Sequence, residues 1–218
     1  MKHEKYEIAQ LESEGQGKNF IYVIWDVASR QAAIIDPGYD AAKALDFCEQ
    51  ERITPIYTIN THRHDDHCLG NKDVAAAAKT RLIAHYHDSD SISRTGGVPV
   101  DYPVGDEDEI QLGEKTKIVV LHTPGHTLGS ICLQVDRDLV TGDTLVVGNI
   151  GRTNFNDGDP QMMWDSLQRL KKLDPLTRIW PGHDYGPAKT STIGEQLKIN
   201  RYLKARNFEG FKRLREKW

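Results

Sequence analysis

The stretch HRHDDH, residues 62–67, places His62, His64, Asp66 and His67 within six positions. Three more polar residues follow apolar runs, each in a turn: His126 in TPGHT, Asp143 in TGDT and His183 in WPGHD. Together they make five histidines and two aspartates. Neutral imidazole and carboxylate suit zinc, iron or manganese. Seven such groups exceed what one tetrahedral ion needs, so two adjacent divalent ions are expected. No cysteine stands among the seven. Structural zinc sites are usually closed and rich in thiolate, whereas catalytic sites favour His and carboxylate and keep a position open for water. The chemistry expected is therefore metal-dependent catalysis.

The elements that must position these residues are strands that end at the motifs. NFIYVIW (19–25) and AAIID (32–36) read as strands joined by a polar turn. AAKALDFCEQE (41–51) carries Ala41, Ala44, Leu45 and Cys48 at helical spacing. PIYTIN (55–60) reads as a buried strand, and the histidine-rich stretch follows it as a loop. NKDVAAAAKT (71–80) reads as a helix and RLIAHY (81–86) as a strand, with an extended loop and short strands over 86–116. KIVVLHTPG, SICLQV, DLVTGDT and TRIWPGHD are further strands. PQMMWDSLQRLKKL (160–173) and TIGEQLKINRYLKA (192–205) are helices, the first with Pro160 near its start. Four predicted strand ends thus each deliver a His or an Asp, on loops held by rigid sheet. The alternation predicts two sheets flanked by helices.

The 218 residues predict a single domain over 1–218, and 38% hydrophobic content supplies a core. A net charge of −4 argues against a nucleic-acid surface. No signal peptide and no apolar run of membrane-helix length is found, so a cytoplasmic protein without a membrane partner is expected. Cys48, Cys68 and Cys132 form no disulfide framework. A homodimer is compatible with the sequence.

HRHDDH, TPGHT, TGDT and PGHDYG resemble the metal motifs of the metallo-β-lactamase superfamily. The likeness runs from NFIYVI and IIDPG to the last predicted helix. It implies an α/β fold, the αββα four-layer sandwich. It implies that His62, His64 and His126 hold one metal, that Asp66, His67 and His183 hold a second, and that Asp143 bridges them. Asp36 in IIDPG matches a family aspartate that supports the site from behind. GRTNF (151–155) and GHDYGPAKTSTIGEQ (182–196) are similar to glutathione-linked members, the glyoxalase II (hydroxyacylglutathione hydrolase) and persulfide dioxygenase branch. The stretch after His183 is shorter than the helical C-terminal domain of full-length glyoxalase II. Arg152 and Tyr185 are implied as contacts for polar or carboxylate groups of a glutathione-like, thiol-derived substrate.

The resemblance leaves two mechanisms open. In hydrolysis, two zinc or iron ions share a hydroxide that attacks a thioester carbonyl, with Asp66 and Asp143 as the catalytic carboxylates. In oxygenation, His62, His126 and Asp143 face a single Fe(II) that takes a persulfide and dioxygen. A metal-binding module without catalysis is a third class.

Other residues are expected to be structural. His85, His87 and His122 read as structural or surface groups, and Cys68 as a bystander of the metal set. Met162, Met163 and Trp164 read as core or interface, and DEDE (106–109) as a solvated turn.

Overall fold

The computed structural model describes residues 5–14 and 17–215. The first half runs β1 (Tyr6–Glu12), β2 (Phe20–Asp26), β3 (Gln31–Ile35), α1 (Ala41–Glu51), β4 (Thr54–Ile59), α2 (Asp65–Cys68), α3 (Asn71–Ala78), β5 (Arg81–His85), α4 (Ser89–Gly96) and β6 (Tyr102–Val104). The second half runs β7 (Glu109–Leu112), β8 (Thr116–His122), β9 (Ile131–Val135), β10 (Asp138–Gly142), β11 (Leu145–Val146), β12 (Asn149–Ile150), α5 (Pro160–Leu170), β13 (Arg178–Pro181), β14 (Ser191–Thr192), α6 (Ile193–Ile199) and α7 (Phe208–Arg215).

One sheet has the order β1-β2-β3-β4-β5-β6 and the other β14-β13-β10-β9-β8-β7. The reason for two sheets face to face is visible in β2. Its seven residues are all buried. Phe20, Tyr22 and Ile24 point into the core between the sheets, and Ile21, Val23 and Trp25 point outward under α1 and α3. Both faces are covered, so the strand reads as an unbroken apolar run. The second sheet carries α5, α6 and α7 on its outer face through Leu139, Met163, Leu167, Ile193 and Phe211. Helices, sheet, sheet and helices form the four-layer sandwich expected.

Strand direction decides where the motifs meet. β4 is parallel to β3 and β5. β10 is parallel to β13 and antiparallel to β9, which is antiparallel to β8. The C-terminal ends of β8, β10 and β13 therefore share one edge of the second sheet. The Ile131 N–H donates to the Thr61 carbonyl at 2.9 Å, which ties the end of β4 to that edge.

Several elements depart from expectation. The loop expected at 61–70 contains the helical turn α2, because the His64 carbonyl accepts both the His67 and Cys68 N–H groups. The loop expected over 86–116 contains α4. Its serines and threonine are poor helix formers, but buried Ile92 packs beside Cys68, Leu82 and Ala84. The helix expected to reach residue 205 stops at Ile199. Asn200 turns extended there, and its side chain donates to the Asn149 carbonyl at 2.9 Å. β1 and α7 were not expected at all. At α5 the reading holds: Pro160 opens the helix, and Asp159 caps it by accepting from the Met162 N–H at 2.7 Å. Met163 is fully buried while Met162 is exposed. Asp106, at the exposed turn, accepts from Arg169 and from the His122 N–H. Among the described residues, no helix is long and apolar enough to cross a membrane.

Candidate metal centre and its cleft

All seven residues singled out in the sequence converge at the shared edge. His62 follows β4, where Thr61 donates its N–H and hydroxyl to Asp36 at 2.8 and 2.6 Å. α2 presents Asp66 and His67. His126 lies in the turn after β8, Asp143 follows β10 and His183 follows β13. The ligand atoms of His62, His64 and His126 lie within 4.8 Å of one another, as do those of Asp66, His67 and His183. Asp143 stands between the groups. Its Oδ2 is 3.4 Å from His126 Nε2 and 3.3 Å from His183 Nε2.

The donor set fits divalent cations on the evidence of its own hydrogen bonds. His126 Nδ1 donates to the Arg152 carbonyl at 2.7 Å and His183 Nδ1 to the Gly17 carbonyl at 2.8 Å. His62 Nδ1 meets Thr61 Oγ1 at 3.1 Å, and the Thr61 hydroxyl is itself committed to Asp36. These outer contacts place the ring protons on the outer nitrogens. The inner nitrogens then face one another: His62 Nε2 to His64 Nδ1 at 3.1 Å, His64 Nδ1 to His126 Nε2 at 3.0 Å, and His67 Nε2 to His183 Nε2 at 3.3 Å. Imidazole nitrogens at such separations repel where both present lone pairs, so each close pair needs a proton or a cation between its members. Asp143 Oδ1 is buried without a hydrogen-bond partner among the described residues, which is costly unless it too faces a cation.

Electrostatics divides the two sides. Burial, followed by the charge of neighbouring histidines, holds His62 well below its ordinary value, and burial and His126 push His64 down to about 4. Burial also opposes charge on His67, but Asp36, Asp143 and Asp66 overcome it and push His67 up to about 9. Asp143 sits well below the carboxylate range, because His183, His126 and His67 outweigh its burial. Without metal, a proton on His67 therefore offsets the carboxylates, and a bound cation would displace it.

A third grouping, Asp36 with His62 and His67, lies within the same span. Both Asp36 oxygens already accept hydrogen bonds, and Oδ2 is 2.9 Å from His67 Nδ1. Asp36 thus braces His67 directly and His62 through Thr61 from behind.

The centre opens into a cleft of about 710 Å³. Phe155 forms one wall, its ring edge-on to His64 at 4.6 Å and to His126 at 5.4 Å. The Arg152 guanidinium lies over the Phe155 ring at 4.7 Å. Among the described residues no carboxylate pairs with Arg152. Tyr185 stacks on His183 at 4.6 Å and is 60% exposed. Cys68 is buried in the apolar cluster and donates to the His62 carbonyl. His85 and His122 stack on each other at 4.0 Å and do not line the cleft. His122 Nε2 meets the Leu128 carbonyl at 2.9 Å.

Sequence reasoning missed several contributors. Asn19 Nδ2 donates to Asp66 Oδ2 at 2.9 Å from a loop far away in the chain. Nothing in KNF signals that reach. Gly182 and Gly151 are needed for close approach. A Cβ at Gly182 would lie 2.4 Å from Asp143 Oδ1, and one at Gly151 would lie 2.0 Å from the Asp143 carbonyl.

Comparison with known proteins agrees with this geometry. Residues 15–183 match the Metallo-beta-lactamase superfamily. The chain is 31% identical to a hydroxyacylglutathione hydrolase of Pelagibacter ubique, covering 91% of this chain and 93% of that one. It is 34% identical to the hydroxyacylglutathione hydrolase of Shewanella loihica over 78% of its length, but spans only 63% of that relative. The crystal structure of ETHE1 from Myxococcus xanthus superposes with a TM-score of 0.87 at 28% identity, covering 96% of this chain and 90% of that one. A fold and relatives of this kind support a metal-dependent hydrolase and imply divalent metal binding. With the match running through most of its length, the chain belongs to the metallo-β-lactamase superfamily.

Proposed function

We propose that the protein hydrolyses thioesters of the hydroxyacylglutathione type at a centre of two divalent ions, zinc or iron. The observation that carries this reading is the doubled ligand set: two groups of three donors with Asp143 between them, opening into one cleft. His62, His64 and His126 would hold one ion, Asp66, His67 and His183 the other, with Asp143 shared. Bound ions of this kind lower the pKa of water and polarise a carbonyl oxygen.

The chain's own groups do the positioning. Asp66 lines the cleft with one oxygen restrained by Asn19, so its carboxylate can orient the attacking water. Arg152, stacked on Phe155 and without a carboxylate partner among the described residues, offers two parallel N–H groups to a substrate carboxylate. The exposed Tyr185 hydroxyl offers a hydrogen bond on the far side of His183. Relatives named hydroxyacylglutathione hydrolase support a glutathione-derived substrate.

A second reading, persulfide dioxygenation, has its own support in the likeness of GRTNF and GHDYGPAKTSTIGEQ to that branch of the superfamily. There His62, His126 and Asp143 would serve a single Fe(II). Elemental analysis with metal-to-chain stoichiometry, beside both assays, separates the two. Two ions per chain with thioester turnover is the expected result. Two ions with no turnover of thioesters overturns the first reading, and one iron with persulfide-dependent oxygen uptake establishes the second.

A further inference from the structure

Arg63 stands between His62 and His64 yet is committed elsewhere. Its guanidinium makes a two-pronged contact with Asp157: Nε donates to Oδ2 at 3.0 Å and Nη2 to Oδ1. Both side chains are largely enclosed, at 28% and 29% exposure, and paired N–H groups on one carboxylate fix orientation as well as distance. The Leu128 N–H, two residues past His126, also donates to Asp157 Oδ2 at 3.4 Å. Behind the pair lies buried Asp88, 3.9 Å from Arg63 Nε. Asp88 accepts from the Thr127 hydroxyl at 2.7 Å and the Gly129 N–H at 3.0 Å.

Besides this contact the segment has two other anchors to the site, the His126 Nδ1 bond to the Arg152 carbonyl at 2.7 Å and, just past Asp157, the Asp159 N–H on the Gly125 carbonyl at 2.9 Å. Residues 151–157 form neither helix nor strand, so no ladder of backbone bonds sets their position. At the near end Arg215 donates to the Gly151 carbonyl at 3.1 Å and the Thr153 hydroxyl at 2.7 Å. At the far end the hold is Arg63 on Asp157. Between these pins lie Arg152 and Phe155, the cleft wall over His64 and His126.

We propose that Arg63 and Asp157 form a clamp that holds the Arg152–Phe155 wall against the metal-site histidines, so that Arg63 is a substrate-positioning residue. The proposal rests on reading the cleft as the substrate site. The metal motif then does two jobs through alternate residues: His62 and His64 face the centre, and Arg63 sets the wall where a substrate carboxylate would dock. Arg63 also balances Asp88, so Asp157→Asn is the cleaner lesion.

The test uses the full chain loaded with metal. Amide hydrogen exchange is followed by mass spectrometry over residues 149–158, and KM and kcat are measured with a hydroxyacylglutathione thioester. For Asp157→Asn, exchange in the segment quickens and KM rises, each about tenfold, the size of one lost charge-assisted hydrogen bond. The value of kcat stays within about threefold, as expected when binding rather than chemistry is touched, and metal per chain is unchanged. Asp157→Glu restores most of the KM, and Arg63→Lys, which keeps the charge but loses the fork, falls between. Arg63→Gln with Asp157→Asn is no worse than the worse single change, because both break one contact. Unchanged exchange and KM in Asp157→Asn overturns the clamp, as does loss of metal in step with activity. If the wild type turns over no thioester, the proposed function fails, and the exchange measurement alone decides the clamp.

Discussion

Asp36 Oδ2 lies 2.9 Å from His67 Nδ1, so the other nitrogen of His67 is the one turned toward Asp66 and His183. The same carboxylate holds Thr61, which in turn meets His62. One buried acid therefore orients a histidine from each proposed ligand group. Asp36 itself has a φ of 51°, a left-handed conformation uncommon for an aspartate. Its carboxylate makes three hydrogen bonds, and its N–H donates to the Ile59 carbonyl at 3.0 Å.

Asp36→Asn is expected to weaken metal binding about 10- to 100-fold, the usual effect of removing such an outer partner. Its amide cannot accept on both sides as the carboxylate does. Competition against a chromophoric chelator measures this, with circular dichroism to check that the fold is intact. Affinity equal to wild type would show that the orientation of His67 and Thr61 does not depend on this acid.

Asn19→Ala addresses one side of the centre alone. Asn19 contacts Asp66 and His67, not His62, His64 or His126. The expected outcome is selective loss of one of two ions, read as metal per chain after limited dialysis. Equal loss of both ions, or of neither, counts against a separate role for the Asn19 contact.

Gly182→Ala places a methyl group 2.4 Å from Asp143 Oδ1 and 3.1 Å from His67 Cε1. The surroundings are packed, so overfilling should destabilise the fold by about 1–3 kcal/mol. A lowered thermal midpoint and reduced metal content are expected together. Retention of both would mean that Asp143 can move aside freely.

The fold should also show a pH dependence centred on Asp26. It is fully enclosed, and its burial opposes ionisation. The N–H groups of Ser29 and Lys115, with the Ser29 and Thr116 hydroxyls, outweigh that and hold its pKa below the usual carboxylate range. A lowered folded-state value contributes stability above the unfolded value of about 3.9, and this is lost as pH falls through the folded value. Asp26→Asn should therefore lower the thermal midpoint most at pH 7, with the gap to wild type closing as pH drops below about 4. A gap that stays constant down to acid pH would sink the assignment.

How legible the protein is in its sequence depends on how local the information is. α1 spans the residues that Ala41, Ala44 and Cys48 predict, because a repeat of buried positions lies within one stretch. The unbroken apolar run of β2 announces burial on both faces by itself. α4 was hidden, since its serines speak for a loop and only Ile92, seated against Leu82, Ala84 and Cys68, makes it a helix. α6 ends early because Asn200 finds a partner in Asn149, far off in the chain.

The same division holds for the centre. The sequence by itself determined which seven side chains are candidates, because metal ligands must be of few types and sit in turns after strands. The grouping that the resemblance implies is brought about in space by the tertiary structure, since it depends on which strands run parallel and share an edge. The tertiary structure alone placed Asn19 on Asp66, Arg63 on Asp157 and Arg215 on Gly151. Each of those contacts joins residues distant along the chain, and no local pattern of residue types encodes a hydrogen bond closed by the packing of separate layers.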